Sequence, residues 1–151
     1  MTRSVPPTKK PSGHRFTRTG SFTLPCSPEV ALPFFTPGGE RAWVPDWTPT
    51  FHSGATDEAG AVWTTDAGDV PVTWVTVIRD DDHVRYARLS GNGTAGYVDV
   101  RCELTKDGTR VHVGYDLTAT SDPAGAALEQ FADGFDDMLS TWRDLTRGVL
   151  E

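Results

Sequence analysis

The last thirty residues set the strongest constraint on the fold. Leu128, Phe131, Phe135, Met138, Leu139, Trp142, Leu145 and Val149 recur at steps of three and four. That spacing predicts one amphipathic helix of about seven turns. Glu129, Asp133, Asp136, Asp137, Arg143, Asp144 and Arg147 fall largely on its opposite side. Asp122 can cap the helix, with Pro123 at its first position. A stripe this large and aromatic has to be buried, and the partner is sought in the remaining chain.

That partner reads as a sheet. Runs at about 48–54, 61–66, 71–79, 83–90, 95–106 and 109–119 have strand character. Their separators are Asp57–Gly60, Ala67-Gly68-Asp69, Asp80-Asp81-Asp82, Gly91-Asn92-Gly93 and Asp107-Gly108. Asp107-Gly108 between alternating runs is the strongest local signal, a two-residue hairpin turn. It predicts that Leu104 faces Val111, Cys102 faces Val113, Val100 faces Tyr115 and Val98 faces Leu117 on one apolar side. Glu103 with His112 and Asp99 with Asp116 then form the wet side. Upstream, His14–Leu24 reads as a first strand carrying Phe16, Phe22 and Leu24. Ser27-Pro28-Glu29 starts a helix, which Pro33 and Pro37-Gly38-Gly39 keep short. A second short helix is expected around Gly39–Val44, closed by Pro45. The expected class is α+β: a curved antiparallel sheet of six to seven strands gripping a long C-terminal helix, with two short helices after the first strand.

The chain has 151 residues and a net charge of -7. Five of its 14 basic residues fall in the first 18, which hold none of the 21 acidic ones. Residues 1–12 therefore read as a disordered basic tail, and 13–151 as a single domain. The acidic remainder repels phosphate backbones, so no nucleic acid is expected as a partner. No apolar run approaches the ~20 residues of a membrane span. No apolar stretch follows the basic start, so a cytoplasmic location is expected. Two cysteines, Cys26 and Cys102, exclude a disulfide scaffold or a cysteine-rich zinc module.

Three stretches carry a resemblance: S-F-T-L-P-C-S-P-E-V at 21–30, F-F-T-P-G-G-E-R-A-W-V-P-D-W at 34–47 and F-A-D-G-F-D-D-M-L-S-T-W at 131–142. With the order of elements, they resemble the START-like or SRPBCC superfamily, also called helix-grip. Birch-pollen-allergen-type proteins, lipid-transfer START domains and aromatic polyketide cyclases belong to it. The stretches look closest to its small bacterial members, labelled polyketide cyclase/dehydrase-like. The resemblance implies a cavity between sheet and terminal helix, its opening framed by short helices and hairpin loops.

The candidate ligand-binding residues are Trp43, Trp47, Trp63, Trp74, Tyr86, Arg88, Tyr115, Phe135 and Trp142. Trp43 and Trp47 either line a pocket mouth or plug the gap between short helices and sheet. Glu40 and Arg41 beside them either cap that mouth or form a surface ion pair. Tyr86 and Arg88 share a face with Val84. A three-residue loop at Asp80–Asp82 would add Trp74, Thr76 and Ile78 to that face, whereas an even loop would place Trp74 with Leu89. An inward Arg88 would hold a carboxylate or phenolate. The Tyr115 hydroxyl, expected on the core side, needs a ligand, a water or a carbonyl as partner. His52 and Tyr115 are the weak catalytic candidates, His52 together with Asp46 as an acid–base pair. No histidine spacing matches a metal site, and Asp80-Asp81-Asp82 lacks the ligand pattern of a calcium loop. No cofactor motif is present.

Three functions fit this reading. The first is binding of a small hydrophobic or aromatic molecule. The second is a polyketide cyclase/aromatase-like enzyme. The third is a protein-interaction adaptor. An apolar cavity with one or two polar points favours binding. Three or more convergent ionisable groups, one of them with a shifted pKa, favour catalysis.

Overall fold

The computed structural model describes residues 14–54, 57–67 and 69–151. The expected basic tail at 1–12 lies outside them. Seven strands form one sheet: β1 (Arg15–Leu24), β2 (Thr50–Ser53), β3 (Val62–Ala67), β4 (Val70–Arg79), β5 (His83–Ser90), β6 (Thr94–Thr105) and β7 (Gly108–Ala119). Their order is β1-β7-β6-β5-β4-β3-β2, and every neighbouring pair is antiparallel. Strands β2 to β7 follow one another by hairpins or short loops, and β1 closes against β7 as the far edge.

The β6–β7 hairpin has the expected faces but a register shifted by two residues. Cys102 pairs with Val111, Val100 with Val113 and Val98 with Tyr115. The turn is centred on Lys106 and Asp107, and Gly108 follows it at φ 131°. The left-handed residue thus comes after the two central positions and not within them. A shift of two keeps each side chain on its side of the sheet. Val111, Val113, Tyr115, Leu117 and Ala119 are all buried. Leu104, expected to face Val111, pairs with Thr109; Thr109 is buried and donates to the Cys26 carbonyl at 2.7 Å, whereas Leu104 itself is 72% exposed.

The β4–β5 pairing resolves the phase question. Arg79 pairs with Val84, and the Asp80 N–H bonds the His83 carbonyl, so the loop is even. That alone would set Trp74 opposite Leu89. A bulge between Thr76 and Ile78 absorbs one residue, Val77, and returns Trp74 opposite Arg88 and Thr76 opposite Tyr86. Ile78 ends opposite Arg85 and leaves the inner face.

Helix α1 (Pro28–Ala31) runs into a 3₁₀ turn, Leu32–Phe35, and a second one follows at Gly39–Ala42. Ser27 stands at the cap of α1 with extended backbone, but its side chain makes no capping bond. The terminal stripe forms two helices: α2 (Asp122–Asp133) and α3 (Phe135–Leu150), interrupted at Gly134. The α2 cap is Ser121, one residue before the expected Asp122. Ser121 has the extended backbone (φ -150, ψ 160), and its Oγ accepts from the Ala124 N–H at 3.3 Å. Leu128, Phe135 and Leu139 are buried, but Leu145 and Val149 are 37% and 42% exposed. In the last turns Thr146 takes the inward position, its hydroxyl satisfied by the Trp142 carbonyl at 2.7 Å. Where α3 crosses β1, a Cβ on Gly20 would lie 2.3 Å from Leu139 Cδ1, so glycine permits that close approach. No helix among the described residues is long and apolar enough to cross a membrane.

Candidate functional site

The inner face of β3, β4 and β5 is built of aromatic rings. Trp63 and Trp74, opposite one another in the ladder, stack at 5.1 Å and 5°. Tyr86 meets both edge-on, at 5.7 and 6.2 Å. Trp47 leans on the same pair from the loop after the second 3₁₀ turn, at 5.8 and 6.4 Å. On the helical side Trp142 contacts Phe35, Trp43 and Tyr115. Four indole N–H groups donate within the protein: Trp43 to the Phe34 carbonyl, Trp47 to the Pro37 carbonyl, Trp63 to Thr76 Oγ1 and Trp74 to Thr65 Oγ1. Each ring is thereby held at its polar edge and offers its apolar surface inward.

These walls do not meet. They enclose a cavity of about 380 Å³ between the sheet, the 3₁₀ turns and the helices. Its surface includes Trp43, Trp47, Trp63, Trp74, Tyr86, Arg88, Tyr115 and Trp142, eight of the nine sequence candidates. Phe135, the ninth, lies behind the wall, edge-on to Phe16 and Tyr115. Phe131, one turn earlier, takes the position at the cavity. Among the lining residues Asp66, Asn92 and Ala127 are exposed, so the mouth lies between two hairpin tips and α2. The short turns close another side, and Trp43 is buried there at 6% exposure.

Of the polar residues lining this space, Arg88, Tyr115 and Glu40 bear most on its chemistry. Arg88 lies over the Trp74 ring at 5.6 Å and spends one N–H on Thr94 Oγ1 at 3.2 Å. Among the described residues no carboxylate pairs with it. Burial lowers its pKa, and the nearby Tyr115 partly opposes that. The Tyr115 hydroxyl has no hydrogen-bond partner among the described residues, whereas that of Tyr86 is committed to the Phe35 carbonyl at 2.8 Å. Both phenols are pushed above their ordinary range by burial. The third group is Glu40. It makes no ion pair with Arg41, and loss of solvent pushes its carboxyl up to about 8.

From the sequence, Glu40 is a cap on the mouth or half of a surface ion pair with Arg41. The signal that places it inside is its spacing. It stands three before Trp43, and the Trp43 N–H bonds the Glu40 carbonyl at 3.2 Å, so one tight turn carries both toward the core. His52 sits on the edge strand β2, exposed, with Nε2 2.9 Å from Thr64 Oγ1, and does not reach the cavity. Asp46, its suggested partner, is exposed at φ 57° with no bond to it among the described residues. His83 is buried against Asp99 at 2.6 Å, away from the cavity lining, and His112 meets Glu103. Among the described residues no three metal-ligating side chains cluster.

The fold, an antiparallel sheet closed over terminal helices, is shared with known structures. Ginseng major latex-like protein 151 from Panax ginseng superposes with a TM-score of 0.62 at 16% identity, over 91% of this chain and 99% of that one. The chain has the helix-grip fold. The Mll3558 protein from Rhizobium loti matches with a TM-score of 0.57 at 20% identity, over 86% of this chain and 99% of that one. DynU16, a protein of the dynemicin biosynthetic locus, matches with a TM-score of 0.59 at 16% identity, over 83% of this helix-grip chain and 45% of its own. No family model matches the sequence, and no curated protein matches it.

Proposed function

We propose that this protein binds a small, flat, hydrophobic or aromatic molecule between the sheet and the terminal helices. The helix-grip fold supports the reading, since it is typically a small-ligand fold. The observation that carries it is the cavity itself: about 380 Å³, walled by five indoles, four of whose N–H groups are committed elsewhere, with Arg88 near the mouth, where no carboxylate among the described residues pairs with it. That volume falls in the range of small-molecule sites. Arg88 and Tyr115 anchor the ligand, and Trp43, Trp47, Trp63, Trp74, Tyr86 and Trp142 form its walls. Phe135 supports the helical wall from behind.

Tryptophan emission tests this reading against a panel of aromatic acids, flavonoid-like phenols and fatty acids. At least one member is expected to give a saturable curve. An aromatic carboxylate should bind better than its amide by about 1.5–3 kcal/mol, the worth of a charge-assisted bond. Arg88→Leu should remove that preference and leave neutral aromatics unaffected. A panel without any saturable curve refutes the reading.

A second reading has one observation in its favour. Glu40, Arg88 and Tyr115 line one cavity, and their pKa values are displaced. Three such groups in one cavity favour acid–base catalysis of the cyclase/aromatase kind if they converge on one ligand. Conversion of a bound panel member, lost in Tyr115→Phe and Glu40→Gln, would establish it. The adaptor reading needs a cavity plugged by tryptophans, and the open cavity gives it no support.

A further inference from the structure

We propose that Arg88, Thr94 and Asn92 form a carboxylate clamp at the mouth of the cavity, in which Arg88 and the side-chain amide of Asn92 donate to the two oxygens of an aromatic acid and Thr94 is the positioning residue between them. This rests on the ligand-binding reading above and deepens it. Two hydrogen bonds fix the arrangement. Arg88 Nη1 donates to Thr94 Oγ1 at 3.2 Å, and that hydroxyl donates onward to Asn92 Oδ1 at 3.1 Å. With its oxygen turned to Thr94, the Asn92 amide has two N–H donors left over, and among the described residues they have no partner. Arg88 likewise keeps N–H groups beyond the one it spends on Thr94. All three residues line the cavity. The clamp therefore offers donors only, and a planar two-oxygen anion matches it.

The surroundings hold the clamp in place. Trp74 lies on one side of the Arg88 guanidinium, its ring centroid 5.6 Å away. Gly96 pairs with Arg88 on the other side and has no side chain to cover it. Thr94 is buried, which shields its two hydrogen bonds from water. Asn92 is exposed, but it stands on a hairpin tip tied down on two sides. The Gly93 carbonyl accepts from the Thr120 N–H at 2.7 Å and from the Thr120 hydroxyl at 2.8 Å, and the Gly91 N–H donates to the Pro71 carbonyl at 2.8 Å. Donors fixed before binding lose little freedom when a ligand arrives. Asp66, the exposed acid of the rim, belongs to β3, and β4 separates it from the strand of Arg88. A carboxylate held by the clamp lies at the mouth, and its rings extend inward along the stacked Trp74 and Trp63.

The test titrates the full-length protein with anthracene monocarboxylate and with its carboxamide, followed by tryptophan emission. In the wild type the acid is expected to bind more tightly than the amide. Asn92→Ala removes the donors without changing the net charge, and should weaken the acid roughly tenfold, the worth of one hydrogen bond to a charged group, and the amide by clearly less. Asn92→Asp keeps an acceptor for Thr94 but sets a second anion in place of the N–H donors, and should abolish the preference for the acid. Thr94→Val keeps the shape without the hydroxyl and should weaken the acid about threefold or more. Thr94→Ser restores the hydroxyl and should recover the loss. Acid binding in Asn92→Ala as tight as in the wild type overturns this inference and leaves the cavity reading standing, as does a wild type that binds acid and amide equally. A Thr94→Val protein that holds the acid as the wild type does, or a Thr94→Ser protein as weak as Thr94→Val, also overturns it. Binding of neither compound, beside a saturable curve for another member of the panel, overturns the clamp alone; no curve from any member fells the cavity reading with it. Asn92 is exposed, so its variants are expected to fold, and they decide the case if a Thr94 variant does not.

Discussion

At the scale of single residues, the half-buried acid Glu40 has a consequence for stability. Glu40 holds its proton in the folded protein up to about pH 8, whereas the unfolded chain releases it in the ordinary carboxyl range. The folded state therefore binds more protons across that window, and stability falls as pH rises through it, then levels off above about pH 8. Glu40→Gln removes the loss. Its melting temperature should match the wild type near the ordinary carboxyl range and exceed it at pH 8, by an amount corresponding to roughly 1–3 kcal/mol. Calorimetry across the window checks the sign. Cys102 is a second such residue. Burial pushes its thiol up to about 12, with Cys26 as a lesser cause. Both cysteines are free. Two thiols are expected by titration under denaturing, non-reducing conditions, and Cys102 should react only slowly in the native protein, since the thiolate is the nucleophile. Rapid native alkylation of both would contradict this burial.

Among the elements, α3 matters most for the cavity, because it supplies both a wall and the support behind it. Phe135 is 2% exposed and touches Phe16, Tyr115 and Phe131. Its removal would undercut the ring of Tyr115 without opening a ligand contact. Phe135→Ala should destabilise by about 3–5 kcal/mol, the usual cost of emptying a buried phenylalanine site. Chemical denaturation measures it, and a loss well below ~1 kcal/mol would mean that Phe135 borders open space. The helical stripe was legible from spacing alone, but its extent was not. Leu145 and Val149 continue the period yet are exposed, while Thr146 and Leu150 take the inward positions of the last turns. The hairpin register failed for a related reason. Asp-Gly marks a turn well, yet the conformation that glycine adopts decides whether it sits within the turn or just after it.

For the molecule as a whole, cavity and stability are linked. A ligand that binds only the folded chain adds about 2.7 kcal/mol at a hundredfold excess over its dissociation constant. For a protein of this size that corresponds to a rise in melting temperature of roughly 5–10 °C. Anthracene monocarboxylate at saturation should produce it in the wild type, and a smaller shift is expected in Arg88→Leu. An unchanged melting temperature at saturating concentration would argue that the acid binds the surface and not the cavity.

The local order of this chain follows from its own residues. Period-two alternation placed the strands within a residue or two, three-and-four spacing located the terminal helical stretch but as one helix without its break at Gly134, and eight of the nine candidate wall residues line one space. Those signals are short-range: each depends on neighbours along the chain and survives without knowledge of the rest. Three matters did not. Val77 is bulged out of the β4–β5 ladder, and only that bulge turns Trp74 toward Arg88 across an even loop. Tyr86 is held by the carbonyl of Phe35, 51 residues away, so the wall between them exists only once sheet and turns have met. Glu40 reads as an ordinary surface acid until that meeting removes part of its water. Register parity, cavity volume and the proton affinity of a half-buried acid belong to the packed assembly, because each is set by atoms brought together from distant parts of the chain.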